Sequence, residues 1–281
     1  MKKLMRGLLC ASLLVALAAA PAAALRQGDS VYSPSVGQAG KDVIWVPTPP
    51  ELVEKMLRMA QVTPNDFVID LGSGDGRIAI AAAKKFGARA QGIEYNPDMV
   101  ALANRSAQRE GVADKVKFVK ADIFQSDFSQ ATVITMYLLP ELNLKLRPTI
   151  MNMKPGTRVV SHQFNMEEWQ PDETAEVDNR FAYLWIVPAK VGGAWTLRID
   201  DSMQVRGLAF RQSMQLLFGS VKTSGTGVDL ADARLRGDQI SFSVVEGRVR
   251  RDFSGRVYGS SMGGIVHATG LPDARWSATR K

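Results

Sequence analysis

The chain has 281 residues, with 35 Lys and Arg against 28 Asp and Glu, a net charge of +7 and a single cysteine, Cys10. That length allows one large or two modest domains, and the position of Cys10 in a leader segment leaves the mature chain without disulfides, thiolate nucleophiles or cysteine-rich metal sites. The charge is uneven: residues 25–189 hold 18 basic and 20 acidic side chains, net −2, whereas residues 190–281 hold 14 and 8, net +6. No block of like charges accompanies that excess, so it reads as the solvated surface of a second domain and not as a nucleic-acid footprint.

Residues 1–24 carry Lys2, Lys3 and Arg6, then an apolar run from Leu8 to Ala20, then Pro21-Ala22-Ala23-Ala24. This is the pattern of a secretory signal peptide cut near Ala24, and it predicts an exported, periplasmic protein. The apolar run is short for a bilayer span, and anchoring in the membrane through the uncleaved segment is the alternative. Residues 25–45, rich in Gly, Ser and Gln, are expected to form an extended lead-in. Val46-Pro47-Thr48-Pro49-Pro50-Glu51 then holds Thr48 extended ahead of a helix reaching about Ala60, whose apolar face is Leu52, Val53, Met56, Leu57 and Ala60. This entry is either a proline-rich cap or a lid segment that brings Thr48 to a bound ligand.

The next stretch, Val68 to Ile78, is an apolar strand that stops in Asp70-Leu71-Gly72-Ser73-Gly74-Asp75-Gly76 and passes into a helix. Glycines at alternate positions admit positive φ and close approach to a ligand, and the helix start presents free N–H groups. A dinucleotide fingerprint would need a glycine where Arg77 stands, and a P-loop would need Gly-Lys-Ser/Thr, which is absent. Ala90 to Tyr95 forms a second strand that places Glu94 about twenty residues after the loop, where a carboxylate can accept two ribose hydroxyls. A helix over 97–110 and a strand over 115–120 lead to Asp122-Ile123-Phe124. There Asp122 can accept from the exocyclic amine of an adenine, and Ile123 or Phe124 can pack on its ring.

Residues 131–139 are almost wholly apolar, as in a strand buried on both faces, and end at Tyr137, Leu138, Leu139 and Pro140. A helix over 141–153, a fifth strand over 158–164 containing His162, and an antiparallel pair over 177–179 and 181–187 complete the alternation. The expected fold is α/β, a doubly wound seven-stranded sheet with ligands at the carboxyl ends of the strands.

These motifs carry a resemblance. Residues 46–187 resemble class I S-adenosylmethionine (SAM) methyltransferases, and among them the non-SET, seven-stranded lysine methyltransferases related to the histone enzyme. The similarity lies in Thr48-Pro49-Pro50-Glu51-Leu52-Val53, Asp70-Leu71-Gly72-Ser73-Gly74, Gly92-Ile93-Glu94, Asp122-Ile123-Phe124 and the run Asn152 to Ser161. It implies SAM as cofactor, held by Thr48, Asp70, Gly72, Ser73, Gly74, Glu94, Tyr95, Asp122 and Ile123, and no metal. The chain departs from those enzymes at the fourth strand, where Met136-Tyr137-Leu138-Leu139-Pro140 replaces a pair of asparagines and a Phe. The acceptor is therefore left open: a protein lysine or other amine, or a small molecule, with no nucleic-acid partner expected. A sulfonium methyl needs mainly alignment and a dry channel, and Tyr137, Glu141 and His162 are the candidates to assist. Each has a plainer reading, as adenosine packing, a first-turn helix acid and a satisfied strand histidine respectively. The rival function is an exported, non-catalytic protein that binds an adenosine-like ligand or a partner. A nicotinamide oxidoreductase ranks third, disfavoured by the glycine spacing and by Asp122.

From Lys190 the pattern is strands alone, expected over 194–200, 212–223, 227–235, 239–245, 253–260, 264–268 and 275–279. Such a meander removes its edges by closing into a small antiparallel barrel or sandwich. The boundary with the first domain is placed at residues 189 and 190.

Overall fold

The computed structural model describes residues 32–200, 202–222 and 227–281. The signal peptide expected over 1–24 lies outside them.

Prolines at the first helical turn, where a missing N–H costs nothing, open α1 (Pro50–Met59), α3 (Pro97–Arg109) and α4 (Pro140–Ile150), while α2 (Arg77–Phe86) starts directly from Gly76. They alternate with β1 (Phe67–Leu71), β2 (Arg89–Glu94), β3 (Val116–Lys120), β4 (Val133–Met136) and β5 (Arg158–His162), followed by β6 (Glu173–Val177) and β7 (Arg180–Ile186). The seven strands form one sheet in the order β3-β2-β1-β4-β5-β7-β6, with β1 to β5 parallel and β7 antiparallel to both neighbours. One face packs on α1, α2 and α3 through Leu52, Met56, Leu57 and Ala79. The other buries Leu146, Ile150, Trp169 and Trp185.

Two expectations are corrected here. The fourth strand stops at Met136, so Tyr137-Leu138-Leu139 run on as connecting chain at the carboxyl edge. The segment expected as a strand over 177–179 is the end of β6 and its hairpin turn, in which Asp178 and Asn179 take φ of 49° and 58°. Two successive left-handed residues match the twist of a two-residue hairpin, and Asp and Asn tolerate them.

The remaining strands are β8 (Gly193–Ile199), β9 (Ser202–Ser213), β10 (Leu216–Lys222), β11 (Gly227–Arg236), β12 (Gln239–Glu246), β13 (Val249–Tyr258), β14 (Ser261–Ala268) and β15 (Ala274–Arg280). They close into an antiparallel barrel, β15 pairing back to β8. One more strand is present than expected: β9, of which only the end falls within the expected run 212–223. Gly207 and the exposed Val205 interrupt its apolar alternation, and its turn to β10 is made by Met214 at φ 54°, with no Gly, Pro or Asn to mark it. The barrel interior is filled by Trp195, Phe210, Phe242, Phe253 and Trp276, with Phe242 and Phe253 stacked at 4.7 Å. It is a packed core, as expected when eight strands enclose only side chains.

The barrel joins the sheet at the amino ends of the parallel strands. The Ala189 N–H donates to the Gly237 carbonyl at 2.8 Å, and Gln215 Nε2 to the Gln170 carbonyl at 2.5 Å. Gly237, at φ 62°, lies so close to Gly156 and Ile186 that a Cβ would stand 3.1 Å from each. All these contacts lie at the opposite edge of the sheet from the carboxyl ends of β1, β2 and β4.

Candidate active site

At those carboxyl ends lies a cavity of about 270 Å³. Its floor is the glycine loop. Gly72, Gly74 and Gly76 take φ of 74°, 52° and 84°, which an L side chain rarely adopts. A Cβ on Gly72 would stand 2.9 Å from Leu138 Cδ2, and one on Gly74 2.8 Å from Trp45 Nε1. The missing side chains thus let the β4 connection and the lead-in settle onto the loop.

On the β2–β3 side stand two carboxylates. Glu94 accepts from the Gly74 N–H through Oε2 and from the Asn96 N–H through Oε1, both at 2.9 Å. Each oxygen is oriented by backbone and keeps a lone pair for a ligand. Asp122 is more heavily engaged: Oδ2 accepts from Lys41 Nζ at 2.8 Å and Oδ1 from the Phe124 N–H at 2.9 Å. The Lys41 ammonium, with that N–H, holds the Asp122 carboxyl below its usual range. Lys41 also lies 5.0 Å from the centre of the half-exposed Tyr95 ring. In the middle, at the end of β1, Asp70 is buried and accepts from Thr135 Oγ1 at 2.7 Å. Burial, with Asp75 and Glu94 nearby, pushes its carboxyl up to about 7. Ser73 Oγ beside it is buried with no partner in the protein, an orphan that a ligand would satisfy.

The β4–β5 side is apolar and aromatic. Tyr137, Leu138, Leu139, Leu142 and Phe164 line it. The Tyr137 ring lies 3.7 Å from that of His162 and 6.3 Å from that of Phe164. His162 is buried behind Tyr137, and its Nδ1 is 3.0 Å from Thr48 Oγ1. Burial, helped by Arg180, pushes the imidazole down to about 4, so it is neutral at pH 7. Burial raises the Tyr137 phenol, which stays protonated. Asn143 Nδ2 donates to the Phe164 carbonyl at 3.1 Å and fixes that loop.

The lead-in closes the cavity from above. Instead of running extended as expected, its described part folds back, with Gly37 N–H to Trp45 O and Trp45 N–H to Gln38 O, both at 2.9 Å. Arg77 Nη1 donates to the Thr48 carbonyl at 2.9 Å and pins the segment to the loop, while the same guanidinium grips Asp75.

Of the residues expected to hold a cofactor, Thr48, Asp70, Gly72, Ser73, Glu94, Tyr95, Asp122 and Ile123 all line this one cavity. Gly74 stands behind it and acts through Glu94. Of the three residues expected to assist transfer, Tyr137 alone is on the wall. His162 supports Tyr137 from behind, and Glu141 is exposed in the first turn of α4, where its charge suits the helix N-terminus. Lys41, Trp45, Arg77 and Phe164 join the site without having stood out in the sequence. Lys41 and Trp45 sit in a stretch without periodicity, and Phe164 carries only its proximity to His162 as a signal.

Residues 70–173 match the model of the ANTKMT methyltransferase domain. A protein-lysine N-methyltransferase of Saccharolobus islandicus is 42% identical over 52% of this chain and 94% of its own length. The chain belongs to the class I SAM-dependent methyltransferases. The adenine nucleotide translocase lysine N-methyltransferase of Mus musculus is 35% identical over 42% of this chain and 52% of its own length. A solved RNA methyltransferase from Salinibacter ruber, in complex with S-adenosyl-L-homocysteine, is 49% identical with a TM-score of 0.51, over 52% of this chain and 96% of that one. SAM is the methyl donor of this methyltransferase, and the cavity's chemistry fits it: oriented carboxylates and an orphan hydroxyl for its polar groups, and buried carboxylate near its positive charge. None of these three matches spans more than 52% of the chain.

Proposed function

We propose that this methyltransferase acts on a lysine ε-amine of a protein. The observation that carries the reading is the aromatic wall: Tyr137 and Phe164, with Leu138, Leu139 and Leu142, form an apolar slot suited to an extended aliphatic stem ending in an amine. Two of the relatives described above are lysine methyltransferases by name, which supports it. Within the cavity, Glu94 takes the ribose hydroxyls, Asp122 and Ile123 the adenine, and Asp70, Ser73 and Thr48 the remaining polar part of the cofactor. SAM supplies an already activated methyl group on its sulfonium. The chain's part is to orient and to exclude water: the lead-in covers the cavity, and the Tyr137 hydroxyl accepts from the amine N–H while the lone pair points at the methyl. Neutral His162 and Thr48 hold the Tyr137 ring at that angle. The amine arrives unprotonated, and the proton it sheds after transfer leaves to water. The leader pattern further supports action in the periplasm, with the barrel as a separate domain from residue 190.

The test is methyl transfer from labelled SAM into an envelope extract of a bacterial host. The label is expected in protein, on methylated lysine by mass spectrometry, and Tyr137→Ala should lower turnover by about 100-fold while SAM affinity changes by less than about tenfold. Label that ribonuclease removes and protease spares would replace the lysine reading with an RNA acceptor, the activity named for the Salinibacter relative.

A further inference from the structure

The barrel carries a second surface that the transfer reaction does not use. On its outside, strand register places Arg234, Ser241, Ser254, Ile265 and Arg275 in one row across β11 to β15, and Arg236, Gln239, Arg256 and Gly263 in the next. Neighbouring strands are about 4.8 Å apart and residues two apart on a strand about 7 Å, so Arg234, Arg236 and Arg256 stand on one compact grid of positions, whereas Arg275, four strands from Arg234 in a closed barrel of eight, faces away from it. Gly263 contributes no side chain, and the grid opens there into a shallow depression of about 620 Å³ bordered by Arg234, Arg236, Arg256 and Tyr258. Arg256 is paired with Asp238 at 2.7 Å, while Arg234, Arg236 and Arg275 form no ion pair with the described residues. Three arginines against one aspartate give the face a charge of +2, out of the +6 carried by residues 190–281.

Two unpaired, exposed guanidinium groups, Arg234 and Arg236, stand with Arg256 around one hollow, an arrangement for an anion with several acceptor oxygens, and planar Arg forks suit phosphate. The apolar content narrows the source. Tyr258 is 64% exposed and Ile265 43% exposed on the same face, the combination that settles at headgroup depth. A single-stranded nucleic acid would instead call for successive aromatic platforms, and this face has one ring. A longer polyanion would also run onto a first domain whose net charge is −2. We propose that this face binds the surface of an anionic phospholipid membrane, with a headgroup phosphate entering the depression between Arg234, Arg236 and Arg256. The face shares no residue with the cofactor cavity, so the two binding events are separable.

The full chain is tested by flotation with vesicles of phosphatidylcholine alone and of phosphatidylcholine with phosphatidylglycerol. Binding is expected only to the second and is expected to fade as salt screens it. Arg234→Gln and Arg236→Gln should each weaken it about fivefold, the worth of one basic residue near such a surface. Arg211→Gln, the same charge change on β9 outside the face, should leave it within twofold, a difference of about 0.4 kcal/mol at most. Melting temperature and SAM titration report that each variant is folded. Loss of lipid binding in Arg211→Gln equal to that in the others would reduce the effect to net charge and overturn the site. No binding to the anionic vesicles would overturn it as well, and so would a single-stranded RNA oligonucleotide that displaces the vesicles and depends on the same two arginines.

Discussion

The seven-stranded sheet and the eight-stranded barrel treat polar groups in opposite ways. The sheet half buries Asp70, Ser73, Thr135, Asn143 and His162 at its carboxyl edge, besides Asp66 and Thr157 at the other, whereas among the described residues the barrel buries only Ser243, bonded to Asp252 at 2.6 Å. A parallel sheet leaves its connections free to diverge at the carboxyl edge, and the polar groups gather around the space so made. A closed barrel of eight strands has no such edge, and Trp195, Phe242, Phe253 and Trp276 fill its interior. The difference separates chemistry from surface: the sheet half has a cavity with oriented, part-satisfied polar groups, and the barrel, its interior filled, offers its outside.

The largest expected effect tests the independence of the two cores. Trp276→Ala removes an indole that packs edge-on to Phe242 and Phe253 at 5.6 and 5.7 Å, and should destabilise the barrel by about 3–5 kcal/mol. The SAM affinity of the protein that remains folded should not change, as read by calorimetric titration. A parallel loss of SAM affinity would show that the barrel core supports the cavity.

Within the sheet half, Glu94→Ala should weaken SAM binding by about 1–3 kcal/mol, since two backbone N–H groups and, in the role proposed above, two ribose hydroxyls lose their charged acceptor. Unchanged affinity in a folded variant would remove Glu94 from the site.

A smaller effect concerns pH. Asp70, pushed up to about 7, binds its proton more tightly folded than unfolded, so its contribution is full below about pH 4 and is lost as pH rises through about 7. His162, pushed down to about 4, acts the other way: its contribution is full above about pH 6.5 and is lost as pH falls through about 4. The two oppose each other over the same window in the unliganded protein. Relative to wild type, Asp70→Asn should therefore lose melting temperature from pH 6.5 to 4, on the order of 5 °C, and His162→Gln should gain it. Parallel melting profiles for all three proteins would show that neither group is held as described.

Much of the sheet half is legible in the sequence because its signals are local. The strand, the positive-φ glycines and the next helix are contiguous from Val68 to Phe86, Glu94 ends β2 about twenty residues after the loop, and Asp122 follows β3, which its alternating apolar residues mark. What escapes is long-range or unmarked. The bond of Lys41 to Asp122 joins residues 81 apart, and nothing in the Gly-rich lead-in announces that it turns back over the loop. The β9–β10 turn lacks the usual turn residues, so the pattern shows one strand too few. Tyr137-Leu138-Leu139 is as apolar as a strand and extends the expected β4 too far, although its burial comes from the cavity wall.

We propose that everything needed to hold SAM lies in the sheet half. A fragment of residues 25–190, titrated calorimetrically with SAM beside the chain from residue 25 to 281, tests this most directly. The Saccharolobus and Salinibacter relatives, 94% and 96% covered by about half of this chain, are themselves no longer than such a fragment. The fragment would lose the packing of Met214 and the bond between Ala189 and Gly237, and should be somewhat less stable for it. Its dissociation constant for SAM should still fall within about tenfold, or about 1.4 kcal/mol, of the longer chain. A fragment that is insoluble, or folded but blind to SAM, would contradict this division and make the barrel part of the catalytic domain.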